Sequence, residues 1–292
     1  MQIISRLMGG LGNQLFQYAA GRALCARHGA ELILDDTLLQ RRHAAVTQRE
    51  YALDPYRIRA RTVTRQEAAL VGRRVGRPWR YFYEIGLLKA PFGYYREPHT
   101  EYDPKLSLVS GKFIMEGYWQ SERYFADIAE ELRRELQPVA PLGPVAGACL
   151  ERIKQRNSVS LHVRRGDYVS VASNAAHYVA CDMRYYRSAV AMVAERVPDP
   201  VFFVFTDTPQ WVTENLSINY PMVLVSQPDA LPAYDDLRLM SSCAHNIIAN
   251  SSFSWWGAWL NPNPGKTVVA PLQWYRNDTN TRDLVPPGWH LL

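Results

Sequence analysis

The chain has 292 residues, 47% of them hydrophobic and 21% charged, with a formal net charge of +5. That length can bury a large core and suggests two domains or one large one, while the lack of any dense Lys/Arg block argues against nucleic acid as a partner. Four scattered cysteines without a CxxC pair argue against a zinc cluster, and no uncharged apolar stretch is long enough to span a bilayer.

The opening residues MQIISRLMGGLGNQLF have no long apolar segment behind a basic region and do not read as a signal peptide. The expected location is cytoplasmic, with a peripheral contact to the cytoplasmic membrane face left open by the mild basic excess. Residues 2–7 (QIISRL) predict a strand that runs into a glycine-rich turn. A helix follows from about Asn13 to His28, with Leu15, Phe16, Ala19, Ala20, Ala23 and Leu24 on its apolar side and Gly29 as its stop. ELILDD (31–36) is the next strand, which makes this the start of an α/β domain.

Residues 40–110, rich in Arg, Pro and Tyr, yield one helix near 65–74. KFIMEGYWQ (112–120) predicts a strand, and SERYFADIAEELRREL (121–136) a single helix capped by Ser121. QPVAPLGP (137–144) reads as a linker, dividing the chain into domains 1–140 and 141–292. The second half is more regular. Strands over 157–163, 201–206, 222–225, 246–250 and 267–271 alternate with helices over 182–197, about 208–215, 234–243 and 252–260. Such alternation means right-handed crossovers and a mainly parallel sheet, which binds ligands at the carboxyl ends of its strands.

Polar clusters sit at those ends. In GGLGNQ (9–14), Gly10 and Gly12 fit the first two glycines of a dinucleotide fingerprint, and Asp35 closes the next strand. The third glycine position is Leu15, so the match is incomplete, and an ordinary tight turn fits equally well. An NAD-type oxidoreductase stays as an alternative. In HVRRGDY, His162 and Arg164 share one face of a strand. The planar fork of arginine suits a diphosphate, and His162 suits a nucleotide contact or a base. The bland reading is an ion pair such as Arg165 with Asp167.

In NSSFSWWG, Ser251 and Ser252 with the free N–H groups of a helix start form an anion cradle. The bland reading makes Ser252 a plain N-cap and assigns at least two of Trp255, Trp256 and Trp259 to the core. Asp236, on the preceding helix, suits the N1–H and 2-amino groups of a guanine, or is merely an acid favoured at a helix start. No Asp-x-Asp triplet occurs, so the usual carboxylate arrangement for a sugar-nucleotide metal is missing. Positive charge for a diphosphate must then come from arginine and helix N-termini.

Taken in order, GGLGNQLFQYAAGRALC, EGYWQSERYF, HVRRGDYV, FFVFTD and LRLMSSCAHNIIANSSFSWWGAWL resemble glycosyltransferase family 11 across nearly the whole chain. These are inverting α-1,2-fucosyltransferases that use GDP-β-L-fucose. The resemblance implies α/β GT-B architecture, two Rossmann-like domains facing a cleft, the N-terminal one on the acceptor side and the C-terminal one binding GDP-fucose. It implies a galactose-terminated oligosaccharide or glycolipid acceptor, and neither cofactor nor metal, GDP-fucose being a substrate. By position, Arg164 would bind the diphosphate, His162 would lie near the guanosine and Asp236 would read the guanine. Asn250, Ser251, Ser252 and Phe253 match the donor-side Ser-Ser-Phe segment, and Gly9, Gly10, Gly12 and Asn13 the glycine turn. No general base carries over; Asp36, Glu116 and His177 are candidates by type and place. A third reading is a catalytically silent nucleotide-sugar-binding protein, against which the retention of every motif argues.

Overall fold

QIISR and NSVSLHV, buried along nearly their whole length, become inner strands of two separate parallel sheets. The computed structural model describes residues 1–40, 49–76, 79–85, 87, 92–226, 231–277 and 279–292. Parts of the 40–110 stretch expected to shape the acceptor side lie outside the described residues. The chain divides into two compact units, Met1–Leu136 with Asn280–Leu284, and Gln137–Thr279 with Val285–Leu292.

The first unit holds β1 (Gln2–Arg6), β2 (Glu31–Asp35), β3 (Arg61–Thr62), β4 (Gly93–Arg96) and β5 (Phe113–Glu116), in the order β3-β2-β1-β5-β4. Its helices are α1 (Leu11–His28), α2 (Arg65–Val75), α3 (Trp79–Glu84) and α4 (Ala129–Glu135). Ile4, Ile33 and Ile114 on three adjacent strands pack with Val71 of α2 and Phe92. Helix α1 ends where the sequence predicts, at Gly29 in the left-handed region with φ 59°. The close-packing glycine missing at Leu15 is found later in that helix. A Cβ on Gly21 would come within 2.8 Å of Leu32, so this glycine lets α1 approach β2.

One expectation here is corrected. The 121–136 segment is not a single helix but two 3-10 turns, Glu122–Tyr124 and Ala126–Ile128, followed by α4. Ser121 does accept a cap bond from the Arg123 N–H. The break has a tertiary cause: the Tyr124 carbonyl accepts from Arg27 at 2.8 Å, and the Tyr124 hydroxyl accepts from the Asp103 N–H at 2.8 Å. A residue held at both ends in this way is not free to follow helical geometry.

The second unit contains α5 (Pro144–Lys154), β6 (Asn157–Val163), α6 (Gly166–Ser170), α7 (Ala172–His177), α8 (Met183–Ala194), β7 (Pro200–Thr206), α9 (Pro209–Asn215), β8 (Met222–Leu224), α10 (Ala233–Ser242), β9 (His245–Ile247), α11 (Ser252–Leu260), β10 (Val268–Ala270) and β11 (His290–Leu291). The sequence predicts no element over 145–154, where α5 runs; it begins at Pro144, the last residue of the expected linker, and a proline in the first turn marks a helix start. The sheet order is β11-β10-β9-β6-β7-β8, every pair parallel. One face packs on α8 through Tyr186, Val190 and Val193, and the other on α10 through Leu239 and Met240. No helix of the described residues is long and apolar enough to cross a membrane.

Candidate functional site

The second sheet grows from β6 outward through β7 and β8, then restarts at β9 on the opposite side. Where strand order reverses, the connections diverge and leave a crevice at the carboxyl ends, here between β6 and β9. Arg164 follows β6, Asp207 follows β7, and Asn250 with Ser251 lies just past β9. The register pairs Val163 with Thr206 and Leu161 with Ile247, which brings these residues to one level.

Arg164 sits between two acids. Its Nη2 donates to Asp167 Oδ1 at 2.6 Å, and its Nη1 lies 3.0 Å from Asp207 Oδ2. Burial opposes its charge, but Asp207 and Asp167 outweigh burial and raise its pKa. Asp207 Oδ1 accepts the Arg165 N–H at 3.0 Å. Gly166 makes room for this carboxylate, since a Cβ there would sit 2.5 Å from Asp207 Oδ2. The suggested pair of Arg165 with Asp167 is therefore corrected. The strand stops at Val163, so the alternation of faces does not continue, and Arg164 takes both acids. Arg165 instead lies 4.1 Å over the ring of Trp211. Asp207 was given no role from sequence, although FFVFTD ends on it.

His162 is buried, with its ring 5.8 Å from that of Phe253. Burial pushes its imidazole well below the ordinary value, with Asp207 opposing, so it is neutral at pH 7. Its Nδ1 has no hydrogen-bond partner among the described residues. Asp236 has a similar open valence: Ser226 Oγ donates to Oδ2 at 3.2 Å, while Oδ1 is buried with no partner among the described residues. Burial pushes its carboxyl up to about 6, opposed by the Ser226 bond and assisted by Asp235.

Helix α11 begins at Ser252 with Ser251 as its cap, and the Ser251 side chain makes no cap bond. The first N–H groups of α11 have no acceptor inside the helix and open onto the carboxyl edge. Trp255, Trp256 and Trp259 are all core, one more than the bland reading requires. Asn250, expected at the donor, has its side chain engaged inside the protein. Its amide donates to the Val179 and Trp274 carbonyls at 2.7 and 2.8 Å, and its Oδ1 faces Cys181 Sγ at 3.6 Å. The side chain ties three loops together and presents nothing outward.

The first sheet has its own reversal, between β1 and β5. Gly9 adopts φ 77°, and a Cβ on it would collide with the Asn13 side chain. Gly10 is the cap of α1 without a side-chain bond, and Gly12 is buried in the first turn. Asn13 Oδ1 accepts from Gln120 Nε2 at 2.9 Å, Gln17 Oε1 accepts the Met8 N–H, and Gln17 Nε2 donates to the Gly117 carbonyl. Two separate sequence motifs thus form one hydrogen-bonded structure.

At that carboxyl edge Arg6 bridges Asp35, at 2.9 Å, and Glu116. Asp35 also accepts from the Thr37 N–H and hydroxyl and is fully buried, so it has no capacity for a ribose. The oxidoreductase alternative loses its acid. Glu116 is held by Arg6 and approached by Arg96 at 3.8 Å. Asp36 is partly exposed and accepts from Gln40 Nε2 at 3.0 Å. His177 belongs to the other unit, exposed and 4.9 Å from the rings of Tyr178 and Tyr275. The three base candidates are thus not gathered in one unit. Among the described residues no group of three His, Cys, Asp or Glu is placed to hold a metal.

Residues 5–292 match the family model of glycosyl transferase family 11. An α-1,2-colitosyltransferase of Escherichia coli is 32% identical over 296 residues, covering 98% of this chain and 97% of its own length. Human galactoside α-(1,2)-fucosyltransferase 1 is 28% identical over 261 residues, covering 86% of this chain and 63% of the human protein. Among solved structures, a mutant of Arabidopsis thaliana FUT1 in complex with GDP is 10% identical with a TM-score of 0.55, covering 98% of this chain and 74% of that one. This last likeness concerns the fold, which is of the GT-B type.

Proposed function

Because the chain belongs to glycosyltransferase family 11, we propose that it transfers L-fucose from GDP-β-L-fucose to the 2-hydroxyl of a terminal galactose, with inversion. The observation that carries this reading is the reversal of strand order between β6 and β9, where Arg164 and the start of α11 stand at one level. A diphosphate leaving group develops negative charge as the glycosidic bond breaks. A guanidinium and a helix start fixed in advance stabilise that charge, and such donors are commonly worth about 3 kcal/mol each. Asp207 and Gly166 position the arginine. The unsatisfied Asp236 Oδ1 is an acceptor for guanine N–H groups.

His162 serves as a nucleotide contact: a deeply buried, neutral imidazole is a weak proton acceptor, and its open Nδ1 can bond a ribose or a phosphate. The attacking hydroxyl needs a base or an already loosened bond to the donor. Of the three candidates, Glu116 is the poorest, because its oxygens are engaged by Arg6 and Arg96. Asp36 and His177 keep open valences toward solvent. The first unit takes the acceptor side and the second the donor. No metal is needed, because arginine and the helix start supply the positive charge. The acceptor is a galactose-terminated oligosaccharide or glycolipid, handled in the cytoplasm.

A second donor reading has specific support: the 32% identical relative is named for colitosyl transfer. Colitose is L-fucose without its 3-hydroxyl, so GDP-colitose offers the same base, diphosphate and methyl group. The test incubates the protein with labelled GDP-L-fucose or GDP-colitose and a panel of β-galactosides, followed by linkage analysis. An α-1,2-linked product is expected. A β-linked product overturns the inverting mechanism, and no transfer from either donor overturns the reading.

A further inference from the structure

Four rings gather beside the β6–β9 crevice. Tyr168 and Tyr178 stack with centroids 4.5 Å apart and planes 4° from parallel. Tyr275 lies 5.5 Å from Tyr178, and His177 stands 4.9 Å from both Tyr178 and Tyr275. This is a built arrangement. The Tyr168 hydroxyl donates to the Asn250 carbonyl at 2.9 Å, and Tyr178 and Tyr275 form a β-bridge. The Arg276 N–H donates to the His177 carbonyl at 2.9 Å. None of the four belongs to the core: the tyrosines are partly exposed and His177 is exposed. Rings held so firmly at a surface suggest a ligand.

Their position says which part of a ligand. Along the carboxyl edge the strand order places Ser226 with Asp236 past β8, Asp207 past β7, Arg164 past β6, Ser251 past β9 and Tyr275 past β10. Adjacent strands are about 4.8 Å apart. A nucleotide sugar with its base on Asp236 and its diphosphate at Arg164 and α11 therefore carries its sugar toward the rings. We propose that Tyr168, Tyr178, Tyr275 and His177 form the subsite for the donor's sugar ring and select a 6-deoxyhexose. This rests on the donor reading above.

The chemistry is complementary. A 6-deoxyhexose presents a methyl group where other hexoses carry a hydroxymethyl, and aromatic faces take up apolar C–H surface. An added 6-hydroxyl would leave water for ring faces that offer it no bond. Apolar pockets reject an extra hydroxyl only modestly, by about a hundredfold at most. That sets the scale of selection to expect.

The experiment is calorimetry with GDP, GDP-L-fucose and GDP-L-galactose, the last adding only the 6-hydroxyl. Wild-type protein should bind GDP-L-fucose more tightly than GDP-L-galactose by about tenfold or more. Tyr178→Ala should weaken GDP-L-fucose about tenfold while leaving GDP within twofold, and should narrow the fucose-to-galactose ratio. Tyr178→Phe, which keeps the ring, should keep the preference for GDP-L-fucose over GDP-L-galactose that Tyr178→Ala loses. If Tyr178→Ala weakens GDP and GDP-L-fucose together, the cluster is only a scaffold and the proposal fails. It also fails if neither affinity changes, because the sugar then lies elsewhere. Wild-type protein that binds GDP no better than UDP or ADP refutes the donor reading itself, and the subsite with it.

Discussion

Asp236→Asn should make the free protein more stable and its grip on GDP weaker. Burial holds the Asp236 carboxyl at about 6, against 3.8 for an ordinary aspartate. A shift of about two pH units corresponds to about 3 kcal/mol of differential interaction. Between about pH 4 and 6 the folded state binds the extra proton, so stability falls as pH rises through that window and stays lower above it. An amide of the same shape carries no charge, so Asn removes most of this penalty at pH 7.5. At about 2–4 °C per kcal/mol, Tm should rise by several degrees.

Binding moves the other way. A hydrogen bond to a charged acceptor contributes about 1.5–3 kcal/mol, so Asn should weaken GDP by roughly ten- to a hundredfold. GDP affinity of the wild type should also fall about tenfold per unit below pH 6, where the carboxyl is protonated. Calorimetry with GDP and inosine diphosphate, which lacks the 2-amino group, isolates the contact. Wild type should prefer GDP and Asp236→Asn should not. A variant that keeps the full preference for GDP would refute the assignment of Asp236 to the guanine.

Two further outcomes test the chemistry. Transfer activity should survive a chelator such as EDTA; complete loss, restored by manganese or magnesium, would show that a metal supplies the charge assigned to Arg164 and α11. Among Asp36→Ala, Glu116→Ala and His177→Ala, one of the first or third should reduce kcat by at least about a hundredfold with GDP affinity intact. Normal turnover by all three would mean a base elsewhere or a cation-like transition state that needs none.

The elements most legible in the sequence were those whose signals are local. NSVSLHV and SFSWWGAWL have the same bounds as β6 and α11, the first alternating Val, Leu and Val with polar residues, the second a helix opening on serine. What the sequence hid depends on distant partners. The fragmented 121–136 segment follows from Arg27 and Asp103 holding Tyr124. The return of residues 280–284 to the first unit rests on Asp283 accepting from Arg123 and from the Tyr102 N–H. In the site, Arg164 and Ser251 were readable because a strand end and a helix start announce themselves. Asp207 was not, since its role appears only when β7 pairs with β6 and Gly166 makes room beside it. The internal bonds of Asn250 were hidden for a similar reason: its carbonyl partners, Val179 and Trp274, come from loops that only the fold brings together.

Both sheets place an arginine at the carboxyl end of the strand where the order reverses, and both flank it with two acids. Arg6 ends β1 between Asp35 and Glu116, while Arg164 follows β6 between Asp207 and Asp167. Their environments separate their roles. The Arg6 side chain is 5% exposed beside a fully buried Asp35, whereas Arg164 is 21% exposed beside an uncapped helix start. Removing one partner from a buried ion group leaves uncompensated charge, at about 3–5 kcal/mol. Arg6→Met should therefore lower Tm by about ten degrees or more, while the folded fraction binds GDP normally. Arg164→Lys keeps the charge but loses the fork. Its Tm should change by no more than a few degrees and its kcat should fall about a hundredfold, an effect on the leaving group rather than on folding. Thermal melts, GDP calorimetry and turnover on the two variants decide the matter. Near-normal turnover by a folded Arg164→Lys, or loss of GDP binding by Arg6→Met at unchanged Tm, would mean that the roles of the two arginines have been assigned to the wrong sheets.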